Sequence, residues 1–158
     1  MVFPPDIAHS VHVELNGNDL LCVHNFKYLG VVIDDELKWT DHIMHVYKKL
    51  LKFTGIFYKL RDKLPPAVLK NMYYAFVHSH VLYAVEIYAN TCPTYLDKLV
   101  KLNNKILRII QNKPFRSHVA DLYIQYKTLP IPLLHEQQLL LFVYKVLNCP
   151  YVLPDVFT

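Results

Sequence analysis

The sequence predicts an α+β fold: a short N-terminal antiparallel β-hairpin or three-stranded sheet, followed by a bundle of about five α-helices. Two observations predict this fold. Apolar and polar residues alternate with the period of a strand near the N-terminus, and after Asp34 the apolar period changes to the 3.6 residues of an α-helix. The 158 residues, 53% of them hydrophobic and 19% charged, are enough for one domain with a buried core.

The first 33 residues carry strand signals. Residues 11–15 alternate apolar and polar, and Asn16-Gly17 follows, a pair typical of the tight turn of a hairpin. Residues 20–23 form the predicted return strand. A further strand is predicted over residues 26–33, where Gly30 indicates a bulge or the close approach of another backbone.

Prolines and capping residues divide the rest of the chain into helices. Thr40 is a predicted N-cap, and Pro66 suits the first turn of the second helix. The predicted helices cover residues 41–63, 67–90, 95–112, 117–127 and 133–148. We expect a β region over residues 1–38 and a helical region over residues 39–158, together one continuous domain. The predicted core consists of Leu50, Phe53, Phe57, Phe76, Leu82, Ile106, Ile110 and Phe142.

Charge is distributed unevenly along the chain. The net charge is +4, but residues 1–38 carry −4 and residues 39–158 carry +8. Such an excess of positive charge favours polyanionic partners, of which nucleic acid is the main example.

Two predicted helices place basic residues on one face. In the third helix the basic residues Lys98, Lys101, Lys105 and Arg108 fall within about 80° of arc at 100° per residue. The first helix repeats the pattern with Lys48, Lys52, Lys59 and Lys63. Cations at this spacing can follow a phosphate backbone without contacting bases. The alternative is a solvated face that only keeps the domain soluble.

Several site types are not indicated. Three dispersed glycines exclude a phosphate-binding loop, and three dispersed cysteines show no disulfide or zinc spacing. The nine histidines show no metal-ligand pattern, and Asp34-Asp35 suits a helix-capping turn better than a two-metal site. No secretory signal is apparent. The most apolar stretch, residues 71–89, contains His78, His80 and Glu86, and therefore predicts a buried helix rather than a membrane span.

Residues 26–34, Phe-Lys-Tyr-Leu-Gly-Val-Val-Ile-Asp, carry a family resemblance. With the segments that follow in order, they resemble the region just after the polymerase palm in reverse transcriptases of non-LTR retrotransposons of the Jockey-like branch. The later segments are Leu37-Lys38-Trp39, Leu60-Arg61, Leu82-Tyr83, residues 102–110, Leu129-Pro130-Ile131 and residues 142–145.

The resemblance implies a function for each part. Tyr28, Leu29 and Gly30 would belong to a primer-grip-like element, and the helices to a thumb that holds an RNA–DNA or DNA duplex by its backbone. The family's catalytic Asp-Asp signature lies upstream of this segment and is not found here. The chain is therefore expected to be a fragment, starting at an internal Met, with no catalytic residue, metal site or cofactor of its own and no small-molecule substrate. Mg²⁺ would serve only the full-length enzyme.

The expected partners are the nucleic-acid duplex and the missing palm of the parent polymerase. The expected location is intracellular, in the nucleus or cytoplasm and away from membranes. The alternative function is a stand-alone helical module that binds a protein through an exposed apolar surface.

Overall fold

A computed structural model describes residues 14–20 and 23–148 of the chain. Two β-hairpins precede the helices, so the predicted α+β class is confirmed. The strands are β1 (Glu14–Leu15), β2 (Asn18–Asp19), β3 (Asn25–Tyr28) and β4 (Val31–Asp34). The helices are α1 (Thr40–Leu60), α2 (Pro66–Tyr73), α3 (Ser79–Leu82), α4 (Val85–Tyr88), α5 (Pro93–Ile110), α6 (Ala120–Tyr126) and α7 (Ile131–Asn148). Among the described helices, none is both long and apolar enough to cross a membrane.

The first hairpin turns where the sequence predicts. Asn16 and Gly17 both have positive φ, 53° and 77°, so the antiparallel strands β1 and β2 are joined by a two-residue turn. Residues 11–13 and 21–22 of the predicted strands lie outside the described part of the chain.

The predicted single strand over residues 26–33 is wrong, because the chain reverses at Leu29-Gly30. These two residues have φ of 45° and 84°, and β3 pairs with β4 in register from Tyr28↔Val31 to Asn25↔Asp34. Gly30 adopts the left-handed backbone at little cost, whereas Leu29 does so under strain. The four strands therefore form two separate hairpins instead of one three-stranded sheet.

The Asp34 carboxylate organises the start of α1. Its two oxygens accept hydrogen bonds from the backbone N–H groups of Lys38 (2.9 Å) and Trp39 (2.8 Å). Thr40 is the first helical residue, and no side chain caps α1, so the predicted Thr40 cap is wrong. Asp34 therefore stabilises the turn that precedes α1 and does not cap the helix itself.

The helix predicted over residues 67–90 is interrupted. α2 continues through a π-helical turn, Tyr74–His78, into α3. The helix is then interrupted at Tyr83 and Ala84, before α4 begins. Ala84 has a left-handed backbone with φ of 58°, and Tyr83 donates its hydroxyl hydrogen to the Leu29 carbonyl of the second hairpin. The break removes the helical partner of the Val81 carbonyl, and the buried Tyr88 hydroxyl donates to that carbonyl at 2.6 Å instead.

Packing of α5 against α1 forms the centre of the core. Both helices bury one apolar face. α3 packs against α1, α2 and α6 pack against α5, and α7 packs against α4 and adds Ile131 and Leu134 to the same core. Four predicted core residues are buried, namely Leu50, Phe57, Ile106 and Ile110, while Phe53 and Leu82 pack at the edge. Phe76 and Phe142 are exposed by 44% and 58%, so their predicted burial is wrong.

A network of hydrogen-bonded polar side chains runs through this core. Asn103 on α5 is 1% exposed; its Oδ1 accepts from the Tyr73 hydroxyl of α2, and its Nδ2 donates to the Tyr123 hydroxyl of α6, both at 3.1 Å. The Tyr123 hydroxyl donates in turn to Asn104 at 2.6 Å. Burial raises the pKa of Tyr123 to about 12, so its hydroxyl stays protonated and can donate. Because buried polar groups require hydrogen-bond partners, this network sets the position of α5 relative to α2 and α6.

Removal of the Phe57 ring should destabilise the fold. Phe57 is fully buried, so Phe57→Ala should lower the free energy of unfolding by roughly 3–5 kcal/mol. The exposed Phe142 provides a matched control, and Phe142→Ala should change stability by only about 0.5 kcal/mol. Urea unfolding followed by circular dichroism measures both. Equal losses for the two variants would contradict the described core.

Candidate nucleic-acid interface

The basic residues of α5 line a groove along the α1–α5 contact. A cavity of about 510 Å³ is bounded by Tyr47 and Leu51 of α1 on one side and by α5 on the other. Among the residues that line it are four cations predicted from the sequence: Lys98, Lys101, Lys105 and Arg108. The apolar side of α5 packs inward, so its opposite side presents these cations outward beside α1.

A second cavity of about 450 Å³ continues this groove. It shares Lys105, Arg108 and Phe115 with the first cavity and adds Lys59 of α1 and Lys113. The two cavities are here called the α1–α5 groove. Among the described residues that line it, six are Lys or Arg and none is Asp or Glu. The groove therefore has a positive potential and an apolar floor.

The cations of the groove differ in what they contact. Lys101 pairs with Asp97, one turn earlier on α5, at 2.5 Å. Arg108 donates from Nε to the Ser117 carbonyl at 3.2 Å, which orients its guanidinium. Lys98 and Lys105 have no ion pair among the described residues, so their charges are available to an anion.

The predicted cations of α1 divide into two groups. Lys59 lines the groove, whereas Lys48 and Lys52 are exposed and are not among the residues that bound it. At 100° per residue Lys48 and Lys52 lie on the same side of α1 as Lys59. They extend the positive surface beyond the groove.

Sequence reasoning missed the aromatic members of the groove. Tyr47, Tyr58 and Phe115 all contribute to its walls, and Phe115 bounds both cavities. The segment Lys113-Pro114-Phe115-Arg116, an aromatic residue among cations just after a helix, is a signal that could have found Phe115.

The primer-grip-like residues lie at the tip of the second hairpin. Tyr28 and Leu29 are exposed, and Gly30 forms part of a cavity of about 280 Å³ with α1 and α3. A Cβ on Gly30 would make an ordinary contact with the Tyr83 ring at 3.5 Å, so the positive φ of 84° rather than lack of space favours glycine here. The remaining lining residues are His42, His45, Val46, Lys49, Ser79, His80 and Tyr83.

Histidines on one side of this cavity are held neutral. The Val32 N–H donates to His42 Nδ1 at 3.2 Å, which places the ring hydrogen on Nε2. Burial first, and then the nearby His45 and Lys49, lower the pKa of His42 to about 4. Burial together with Lys49, Lys27 and Lys48 also lowers the pKa of His45.

Metal chemistry finds no support in this region. Among the residues that the structure describes, no three His, Cys, Asp or Glu side chains are grouped as a metal site requires. Asp35, the neighbour of Asp34, contacts the His24 ring at 2.8 Å. The Lys and Arg side chains of the α1–α5 groove are groups of the kind that bind anions.

Comparison with known proteins identifies two relatives. Over 118 residues, which cover 73% of this chain, the sequence is 29% identical to the RNA-directed DNA polymerase from mobile element jockey of Drosophila funebris. Its counterpart from Drosophila melanogaster is 25% identical over 114 residues, or 70% of this chain. The matches span only 13% and 12% of the relatives' lengths. No family model matches, and no solved structure matches. The resemblance predicted from the sequence is confirmed.

Acid should destabilise the fold through His42. Its pKa is lowered from 6.5 to about 4 in the folded protein, so the unfolded chain binds a proton at higher pH than the folded chain does. The contribution of His42 to the free energy of unfolding should therefore be fully present above about pH 6.5. It should be lost as the pH falls toward 4, which lowers the free energy of unfolding by up to roughly 3 kcal/mol.

Urea unfolding at pH 7.5, 6.5, 5.5 and 4.5 measures this dependence. His42→Asn keeps an acceptor near the Val32 N–H and removes the titration, so it should flatten the pH profile. His118→Asn, on an exposed residue, is the matched control. A profile that His42→Asn leaves as steep as that of the parent would refute the assignment.

Proposed function

We propose, from the relationship of this chain to Jockey-like reverse transcriptases of non-LTR retrotransposons, that it is a thumb-like segment that holds a template–primer duplex by its backbone. The relatives are RNA-directed DNA polymerases, and the chain spans about an eighth of their length. Polymerisation would belong to the whole protein, and this segment would contribute binding.

The main support for the proposal is the concentration of cations in the α1–α5 groove. Six Lys and Arg side chains converge on it, and Lys98 and Lys105 have no acidic partner among the described residues. Side chains of this kind neutralise phosphates and release the counterions of the nucleic acid, which supplies most of the affinity of sequence-independent binding. Cations and apolar side chains such as Leu51 and Leu102 make up most of the lining, which favours contacts with the backbone over recognition of bases.

The second hairpin offers a separate surface for the proposed primer contact, next to a cavity that shares no lining residue with the groove. The exposed Tyr28 and Leu29 project at a turn that the Tyr83 hydroxyl holds through the Leu29 carbonyl. A turn held in this way can position a strand end without large rearrangement, as a primer-grip-like element requires. Lys27, on the adjoining strand, adds a cation to this surface.

A second candidate function, binding of a protein partner, is favoured by the C-terminal half of α7. In the described part of this helix only Ile131 and Leu134 are buried, whereas the following apolar residues are exposed. The exposed residues are Leu139, Leu140, Leu141, Phe142, Val143, Tyr144 and Leu147. An apolar contiguous surface of this kind suits a protein interface. Its binding would depend little on salt, unlike binding through phosphates.

The purified chain should not extend a primer. The Asp34 carboxylate is committed to two backbone N–H groups, so Asp34 and Asp35 do not form the acid cluster that a two-metal reaction needs. Primer extension with Mg²⁺ or Mn²⁺ and a labelled primer on an RNA template measures this. Extension that co-elutes with the chain and disappears in Asp35→Asn would contradict the proposal.

Removal of two free groove charges should weaken duplex binding. In Lys98→Gln/Lys105→Gln the affinity for an RNA–DNA duplex should fall similarly for every sequence, and the slope of log K against log salt should become shallower by up to about 2. Fluorescence anisotropy at several salt concentrations measures both quantities. Stability should hardly change, because both side chains are exposed.

The control variant is Lys127→Gln/Lys145→Gln, which removes the same charge at exposed positions outside the groove. It should bind with nearly the parent slope. If the two double variants behave alike, the groove has no special role and the protein-binding function becomes the better explanation.

A further inference from the structure

Phe115 is a large aromatic side chain left in solvent beside the positive groove. Its side chain is 78% exposed, the largest exposed fraction among the large hydrophobic residues of the described chain. It lies in the connection between α5 and α6 and bounds both cavities of the α1–α5 groove. Exposure of a phenylalanine ring to water is unfavourable relative to burial, which makes this position notable.

The surrounding backbone and Arg108 hold the ring in place. The connection is closed by hydrogen bonds from Lys113 N–H to the Arg108 carbonyl (2.9 Å) and from Ser117 N–H to the Pro114 carbonyl (3.0 Å). The Arg108 guanidinium, oriented by the Ser117 carbonyl, lies 5.7 Å from the centre of the Phe115 ring. The ring therefore contacts a cation on one side and remains accessible from the groove.

We propose that Phe115 stacks an unpaired nucleobase, so that the groove binds a single-stranded stretch of nucleic acid next to the duplex. The inference rests on the proposed function and specifies its ligand. Stacking on an aromatic ring, combined with cations that follow the backbone, is the general mode by which proteins hold single strands without sequence preference.

Charge and space favour this ligand over an apolar protein segment. Lys105, Lys113 and Arg108 surround Phe115, and they would be desolvated without compensation under an apolar partner. A nucleotide supplies both a flat ring and a phosphate. The adjoining cavity, about 450 Å³, is within the size range of sites for ligands of this class.

The test compares two ligands with the full chain. One is a blunt RNA–DNA duplex, and the other is the same duplex with a four-nucleotide single-stranded extension that contains 2-aminopurine. Phe115→Ala should weaken binding of the extended duplex by about 5- to 100-fold and change binding of the blunt duplex by less than about twofold. Quenching of 2-aminopurine fluorescence should occur with the parent and with Phe115→Trp but not with Phe115→Ala. Phe142→Ala is the control for loss of an exposed aromatic residue.

The outcomes separate this inference from the proposed function. Loss of affinity for the extension alone supports stacking, whereas equal losses on both ligands, or no loss, overturn it. If the parent binds the blunt duplex but Phe115→Ala has no effect, the proposed duplex binding stands and stacking fails. If the parent binds only the extension, in a Phe115-dependent manner, stacking stands and duplex binding fails. Absence of binding to either ligand overturns both.

Discussion

The buried face of α5 is the constraint on which the rest of the structure depends. Leu99, Ile106 and Ile110 must leave water together, and burial of Asn103 on the same face requires hydrogen-bond partners for both its amide oxygen and its amide nitrogen. Tyr73 and Tyr123 meet that demand from α2 and α6. Apolar burial alone would tolerate some rotation or sliding of α5, since such contacts have little directionality. The hydrogen-bonded network restricts both the rotation and the sliding of α5. It thereby determines which side of α5 is presented to solvent.

The α1–α5 groove follows from that restriction. With its apolar face held against the core, α5 presents Lys98, Lys105 and Arg108 beside the solvent edge of α1. A depression with several cations and no carboxylate among its described lining residues concentrates positive potential more strongly than the same charges on a flat helix. The groove and the exposed Phe115 together combine the two features of single-strand binding surfaces, which are backbone neutralisation and ring stacking.

Contacts distant in sequence explain where sequence reasoning failed. Tyr83 and Ala84 interrupt a segment of good helical pattern because the Tyr83 hydroxyl reaches the Leu29 carbonyl, 54 residues earlier. The turn at Leu29-Gly30 had a local signal in Gly30, but the strand propensity of Val31, Val32 and Ile33 favoured one uninterrupted strand. Phe76 and Phe142 have apolar side chains of core type, yet Phe76 only stacks on Phe53 at the edge of the core and Phe142 is more than half exposed. Their exposure could be known only from the tertiary arrangement.

The sequence by itself determined the α+β class, the approximate helix bounds, the turn at Asn16-Gly17, the basic face of α5 and the family resemblance. All of these depend on neighbours within one or two turns or on residue order. Only the tertiary structure decided that Lys59 joins the groove while Lys48 and Lys52 lie outside it, and that Phe115 bounds both cavities. Those facts depend on how the helices pack, and packing is set by side chains far apart in sequence, such as Tyr73, Asn103 and Tyr123.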